Sequence, residues 1–233
     1  MKKLFALLFF ISTLNVFGQE EKKFKLGFAL NPCISDNITS NNGKTPVVVN
    51  SVLNKIENPI FAYEIAIFSE YNLDLNSKLR FGIGYSNSGY KTNKQKSIVA
   101  MPDPVIPEYT QFIYKHRDIV IPVLYTRYLK NKLQNFYFIG GAEPQIKINR
   151  TSRLNKWYED GTYSSDQWND RSTSFRRINV NFVLGFGYDI KLSEKIRLFV
   201  QPTFDCNILG TSTNANINRR IYTYGLSLGT IFK

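Results

Sequence analysis

The amino-acid sequence predicts an all-β protein, a single eight-stranded antiparallel up-and-down transmembrane β-barrel with short periplasmic turns and long extracellular loops. Two observations predict this class. Bulky apolar residues alternate with polar or small residues along many segments, and the connections between these segments alternate between long and short. A period of two gives a strand two unlike faces. A barrel that crosses a membrane needs the apolar face outside and the polar face inside.

The clearest pair of strands lies at residues 177–207, on either side of a short polar turn at 191–195. In the first arm the even positions are apolar: Ile178, Val180, Phe182, Leu184, Phe186, Tyr188 and Ile190. Most odd positions there are polar or glycine. After the turn Ile196, Leu198, Val200 and Phe204 keep the alternation. This hairpin predicts two strands that face lipid on one side.

Six further segments have the same pattern. The eight predicted strands span residues 24–32, 61–74, 78–90, 112–128, 135–150, 177–190, 196–207 and 221–232. The connections between them run long, short, long, short, long, short, long. Short turns on one rim and long loops on the other are typical of outer-membrane barrels, so we expect the short rim and both termini in the periplasm. An even strand number lets the last strand pair with the first.

Composition and charge exclude several other classes. The chain has 233 residues, 15% aromatic, and no run of eighteen apolar residues, which excludes a transmembrane helix. The net charge of +12 is scattered through strands and turns rather than along a basic helix. This distribution disfavours nucleic acid as a partner and favours outer-membrane lipid, including lipopolysaccharide.

The first eighteen residues have the pattern of a secretory signal peptide. Lys2 and Lys3 precede the apolar run Leu4–Leu14, and Gly18 ends the segment before Gln19. We therefore expect residues 1–18 to be removed and residues 19–233 to form one outer-membrane β-barrel domain. The predicted location is the outer membrane of a Gram-negative cell.

Ten charged residues fall on the predicted inward face: Glu64, Glu70, Lys78, Arg80, Glu143, Lys147, Arg177, Asp189, Arg197 and Asp205. An eight-stranded barrel is just wide enough for its own side chains. Buried charges are costly unless they are paired. We expect ion pairs that plug the lumen, and a narrow conducting pore is the alternative.

Candidate catalytic residues are few. His116 is the one histidine, two residues from Asp118 on the same strand face, and a serine from a loop would be needed to complete a hydrolase. We predict no catalytic site, no cofactor and no metal site. The two cysteines, Cys33 and Cys206, lie on the first and seventh strands, about 10 Å apart by strand spacing. Whether they form a disulfide stays open.

The connection 151–176 is the candidate binding surface. It carries Trp157, Tyr158, Tyr163 and Trp168 among polar residues. These aromatic side chains could contact a glycan, a protein or lipopolysaccharide. Alternatively, they pack on one another or rest at the membrane interface.

Several segments resemble the PorT-like outer-membrane β-barrel proteins of Bacteroidota. They are Phe17–Gln19, the strand Arg117–Tyr125, the paired Gly-x-Gly strands and the terminal segment Tyr222–Phe232. The resemblance implies an eight-stranded outer-membrane barrel. It also implies a link to type IX secretion, and Phe232 matches the C-terminal signal read by the barrel-assembly machinery.

Four functions remain open on the sequence. The favoured one is a structural or interaction barrel whose extracellular loops contact an envelope protein or a surface ligand. The others are an accessory barrel of a type IX-like secretion system, a lipid-modifying outer-membrane enzyme, and a soluble barrel with a ligand inside.

Overall fold

The structure is a computed structural model that describes residues 24–41, 47–97, 106–129, 135–169, 175–212 and 217–232. The predicted signal peptide, residues 1–18, lies outside the described residues. Within them the chain forms one helix and twelve strands. In chain order these are β1 (Phe24–Asn41), α1 (Val47–Ile56), β2 (Glu57–Asn58), β3 (Ile60–Asn72), β4 (Ser77–Thr92), β5 (Gln95–Lys96), β6 (Tyr109–Val120), β7 (Val123–Tyr128), β8 (Phe136–Trp157), β9 (Tyr163–Asn169), β10 (Ile178–Lys191), β11 (Ile196–Asn207) and β12 (Ile217–Phe232).

The strands form one antiparallel sheet that closes into a ring. Hydrogen-bonded neighbours run in the order β10, β11, β12, β1, β3, β4, β7 and β8, and β8 pairs back onto β10. At the seam Phe232 of β12 pairs with Leu26 of β1 on one side and with Ile196 of β11 on the other. Closure satisfies the backbone groups that an open sheet would leave at its edges, which a strand in lipid requires.

The two faces of the sheet have opposite chemistry. Large apolar side chains point outward and are exposed, among them Phe61 (69% exposed), Ile67 (62%) and Leu26 (61%). Inward positions are buried and mostly polar, and Glu70 and Ser35 are fully inaccessible. On β3 the outward apolar set runs from Phe61 to Tyr71, about 33 Å of strand at roughly 3.3 Å per residue. With the usual tilt this gives a band on the order of 25 Å tall, the height of a membrane core.

The number of strands differs from the expected eight. One cause is Pro122, which divides the predicted fourth strand into β6 and β7 because proline has no backbone N–H for the ladder. Both pieces still lie between β4 and β8. The other cause is that the short strands β2, β5 and β9 form inside segments that were expected to be loops.

The predicted long connections are also more regular than expected. β1 continues to Asn41 and β8 to Trp157, and α1 lies in the connection after β1. Beyond the lipid either face of a strand can be polar, so apolar alternation no longer marks a strand there. The helix has 10 residues. No helix in the described part of the chain is long and apolar enough to cross a membrane.

Two residues of the predicted faces are placed differently. Phe68 breaks the apolar alternation of its strand in the sequence, and the structure turns it inward, where it is 3% exposed. Arg177, expected inside, is exposed and lies before the start of β10. It lies at the rim of the lumen, where its carbonyl accepts a hydrogen bond from the Lys147 N–H at 2.9 Å and its side chain lines a small cavity.

Candidate functional site

A cluster of paired charges lies in the lumen at the end of the barrel where the short turns after β3 and β10 are. Glu70 lies at its centre, where its Oε1 accepts a hydrogen bond from Arg80 Nη2 at 2.9 Å and its Oε2 from Arg197 Nη2 at 2.6 Å. Lys78 Nζ lies 3.5 Å from the same carboxylate, and Arg197 Nη1 is 2.8 Å from Asp189 Oδ2. We call these five residues the charge plug. The prediction of paired lumenal charges is confirmed for all five.

Aromatic rings complete the closure. The Arg80 guanidinium lies 4.2 Å from the centroid of the Phe68 ring and 4.8 Å from that of Phe199, a cation–π arrangement. Gly229 on β12 makes room for this stack, since a Cβ there would lie 2.5 Å from the Phe199 ring. The inward phenylalanines therefore pack directly against the charge plug.

A second set of inward charges is not paired in this way. In the described part of the chain, no salt bridge involves Glu64, Glu143 or Asp205. Glu143 Oε1 accepts hydrogen bonds from the Gln145 and Asn181 amides, and Asp205 Oδ2 accepts one from the Thr223 hydroxyl at 2.8 Å. For these three carboxyl groups the expectation of ion pairing is wrong, and neutral donors satisfy two of them instead.

Two small cavities lie above the charge plug. Their volumes are about 30 and 50 Å³, and Asn31, Glu64 and Asp205 line both. A site for a drug-sized molecule occupies roughly 300–1,000 Å³. These cavities have room for a few water molecules only. They therefore suit internal hydration of the polar lumen rather than an organic substrate.

His116 lines the smaller of the two cavities, and no catalytic partner is hydrogen-bonded to it among the described residues. It is 1% exposed, and within the described residues neither ring nitrogen has a hydrogen-bond partner. Ser88 lies opposite His116 on β4, and Ser86 lies opposite Asp118. The residue types of a hydrolase thus come close together, but the nucleophile–base hydrogen bond that such chemistry needs is missing. No group of histidine, cysteine and acidic residues in the described ranges has an arrangement that could hold a metal ion.

The two cysteines are free and lie on opposite faces of the wall. Cys33 pairs with Gly225 of β12 and is buried toward the lumen. Cys206 pairs with Tyr222 of the same strand and alternates with the inward Asp205, so it faces outward. A bridge between them would have to pass through β12.

The candidate binding surface is a β-hairpin rather than a loop. Trp157 ends β8 and Tyr163 begins β9, and their ring centroids are 5.5 Å apart. Tyr163 Oη donates a hydrogen bond to Asn155 Oδ1 at 2.9 Å. Lys94 Nζ lies 4.5 Å from the Trp157 ring and 4.4 Å from the Tyr109 ring. We call Lys94, Tyr109, Trp157 and Tyr163 the tip cluster.

The structure does not bring all four predicted aromatic residues together. Trp168 pairs with Ser152, five positions along β8 from Trp157, so the two indoles lie on opposite faces of the hairpin. Tyr158 lies in the turn, where its N–H donates to the Thr162 carbonyl at 3.0 Å. Lys94 and Tyr109 were missed because they flank a connection whose ends meet only after β6 pairs with β8.

Charge pairs stiffen the hairpin. Lys156 Nζ lies 2.6 Å from Asp166 Oδ2 across the two strands, and this hydrogen bond raises the pKa of Lys156. In the turn the Thr162 hydroxyl and N–H donate to Asp160 Oδ1, which lowers the pKa of Asp160. Both groups therefore keep their charges at neutral pH, and the tip cluster is presented on an ordered support.

A match to a protein-family model agrees with this architecture. A family model described as an outer membrane protein beta-barrel domain matches residues 17–210. Among solved structures, Neisserial surface protein A is 16% identical with a TM-score of 0.40, covering 88% of this chain and 96% of its own. Ail, the attachment invasion locus protein of Yersinia pestis, is 6% identical with a TM-score of 0.34, covering 89% and 99%. The outer membrane protease OmpT from Escherichia coli is 8% identical with a TM-score of 0.34, covering 90% and 95%.

No curated protein matches the chain in sequence. The family match covers most of the 233 residues, and the closed sheet with its apolar outer face is the structure that such a domain requires. The chain therefore belongs to the outer membrane protein beta-barrel domain family and is a protein of the outer membrane.

Proposed function

We propose that this protein is a non-enzymatic interaction barrel whose extracellular hairpin contacts a surface ligand or an envelope protein. The tip cluster is the observation that carries the proposal. Trp157 and Tyr163 lie at the far end of β8, the longest strand of the described residues, with Lys94 over the indole. Paired aromatic rings with an adjacent cation are the residue types that dominate binding energy at protein surfaces.

The lumen supports this role because it has no room for an organic substrate. The charge plug and the edge-to-face pair of Phe68 and Phe199 occupy the lumen, and the cavities above them are water-sized. Function on this reading depends on the outer surface. The lumen stabilises the barrel.

The proposal includes eight membrane-spanning strands in the mature barrel, after removal of residues 1–18. β6 and β7 count as one membrane-spanning strand because both lie between β4 and β8, with a break at Pro122. Ile121 N donates to the Pro144 carbonyl at 2.9 Å, so the break stays attached to β8. β9 continues the line of β10 along β8, above the membrane.

Membership of the PorT-like group of Bacteroidota, with an accessory role in type IX-like secretion, is a second proposal. The segments Arg117–Tyr125 and Tyr222–Phe232 support it by their sequence resemblance. A deletion strain tests it. Loss of secreted substrates from the cell surface would support the role, and normal secretion would contradict it.

Photo-crosslinking in intact cells tests the interaction role. A photoreactive amino acid at position 157 is expected to capture a specific envelope component. The same group at position 168, on the opposite face of the hairpin, is the matched control and is expected to capture much less. The Tyr163→Ser variant is expected to reduce capture from position 157. Equal capture from both positions, or none from position 157 in a folded barrel, would contradict the proposal.

A further inference from the structure

Four basic side chains meet on the outward face of the barrel, just beyond the apolar band. Lys91 of β4 pairs with Ile113 of β6, which pairs in turn with Arg153 of β8. Lys115 and Arg117 follow Ile113 at two-residue steps toward the membrane. We call Lys91, Lys115, Arg117 and Arg153 the basic patch.

The direction of these side chains follows from alternation. His116 and Asp118 are buried toward the lumen. Lys115 and Arg117 alternate with them along the strand and therefore face outward. On β8 the pairing shifts by one residue at Arg117 and Asp118. Below this bulge the even residues of β8 face outward, and above it the odd residues do, which turns Arg153 to the same side as Lys115.

No acidic residue lies among the strand neighbours of the basic patch. Arg117 is flanked by Asn87 and Asn149, and Lys115 by Gly89 and Thr151. The guanidinium of Arg153 donates to Gln167 Oε1 at 2.9 Å, a neutral partner that orients it. The patch therefore presents positive charge that these neighbours do not neutralise.

Apolar side chains begin immediately below. Ile119 is the next outward residue after Arg117 on β6, and Ile146 beside it is 38% exposed. On the adjacent strands the rings of Tyr63 and Tyr85 lie 6.2 Å apart at the same level. The change from apolar to cationic surface takes one outward step, about 6.6 Å of strand.

A phosphorylated lipid has this same order of chemistry along its length. Acyl chains match the isoleucine surface, and phosphate matches guanidinium and ammonium groups through charge-assisted hydrogen bonds. Lys91 and Arg153 lie two strand spacings apart, about 10 Å, which leaves space for one or two phosphate groups between them. An aqueous anion would use the basic residues and leave the apolar surface unused.

We infer that the basic patch is a binding site for the phosphorylated headgroup of an outer-leaflet glycolipid, whose acyl chains lie along Ile119 and Ile146. The inference rests on the proposed extracellular position of this rim. It deepens the proposed function by giving the barrel a fixed lipid partner beside the hairpin. The site does not include the tip cluster.

Native mass spectrometry of the folded barrel in detergent tests the inference. The probes are bisphosphorylated lipid A and the same lipid A after removal of its phosphates. The double variant K115Q/R117Q is expected to bind bisphosphorylated lipid A about tenfold more weakly, because it loses two charge-assisted contacts. The matched control R220Q/K195Q removes two exposed basic residues elsewhere, and its affinity is expected to stay within about twofold of the wild type.

Lipid A without phosphates is expected to bind the wild-type barrel as weakly as bisphosphorylated lipid A binds K115Q/R117Q. Equal weakening in both double variants would overturn the inference, because it would indicate a general charge effect. Unchanged binding by K115Q/R117Q would also overturn it. So would displacement of the lipid by millimolar inorganic phosphate, which would identify a free anion as the ligand. The W157S/Y163S variant is expected to bind lipid A normally, which separates this site from the hairpin.

Discussion

At the scale of single residues, the inward carboxyl groups divide into those paired with cations and those that accept hydrogen bonds from neutral groups. Glu70 is fully buried, yet its two oxygens face two guanidiniums and an ammonium group. Removing one partner of such a network leaves a buried charge without compensation, which costs more than the pair itself contributes. Glu143 and Asp205 accept hydrogen bonds from neutral groups, so no buried cation depends on them in the same way.

Glu70→Gln is therefore expected to lower the free energy of unfolding by about 3–5 kcal/mol, since it leaves Arg80 and Arg197 facing each other. Urea unfolding of the barrel in lipid vesicles measures this. Asp74→Asn is the control, because Asp74 pairs with Arg127 at the exposed rim, where solvent and salt screen the pair and it contributes little to stability. Equal destabilisation by the two variants would contradict the central position of Glu70.

Alternation in the sequence predicted that Glu70, Arg80 and Arg197 face inward. It did not predict which of them meet. Glu70 and Arg197 are 127 residues apart, and their contact depends on the register of the whole ring. Phe68 is a large apolar residue out of phase with the lipid-facing positions of its strand, and it shares the inward face with Glu70. The Arg80 guanidinium stacked on its ring explains the exception.

At the scale of elements, one strand separates the two cysteines. Cys33 and Cys206 flank β12, and the alternation of side chains sends them to opposite faces. Their positions on two different strands, about two strand spacings apart, were predicted from alternation in the sequence. The opposite directions follow from combining that alternation with the observed pairing.

Mild oxidation of the folded barrel is therefore expected to form no Cys33–Cys206 disulfide. A non-reducing gel measures this, because a bridge across 173 residues of chain would speed migration of the unfolded protein. The same oxidation after unfolding in urea is the control and is expected to form the bridge. A disulfide that appears equally in the folded state would contradict the registers of β1 and β11 on β12.

Element boundaries were predicted well inside the lipid and poorly above it. β10 and β11 match the predicted hairpin within one residue at each end. The extensions of β1 and β8, the hairpin with β9, and helix α1 were not predicted, because their side chains meet water on one or both faces and have no two-residue apolar period. The bulge that turns Arg153 outward has no signal in the sequence either.

At the scale of the whole molecule, the rhythm of long and short connections predicted the closed ring. The tip cluster and the basic patch depend on the pairing of neighbouring strands in this ring, since both join residues of β6 and β8 with residues of the β4 region. The charged residues are also distributed according to the two faces of the ring. Paired charges fill the lumen, and unneutralised basic residues sit outside the lipid band where anionic headgroups lie.

The closed lumen leads to the last expectation, that the wild-type barrel does not conduct ions in a planar bilayer. A small closed barrel has little interior beyond its own side chains, and here Glu70, Arg80, Arg197 and Phe199 pack together inside the lumen. Replacing the three charged residues with serine and Phe199 with alanine removes the pairs together and leaves none of the three charges behind. This variant is expected to show discrete conductance steps, provided that it still migrates faster without boiling on a detergent gel. Steady conductance by the wild type, or a silent but folded variant, would contradict the charge plug as the barrier, because the resistance would then lie in other residues.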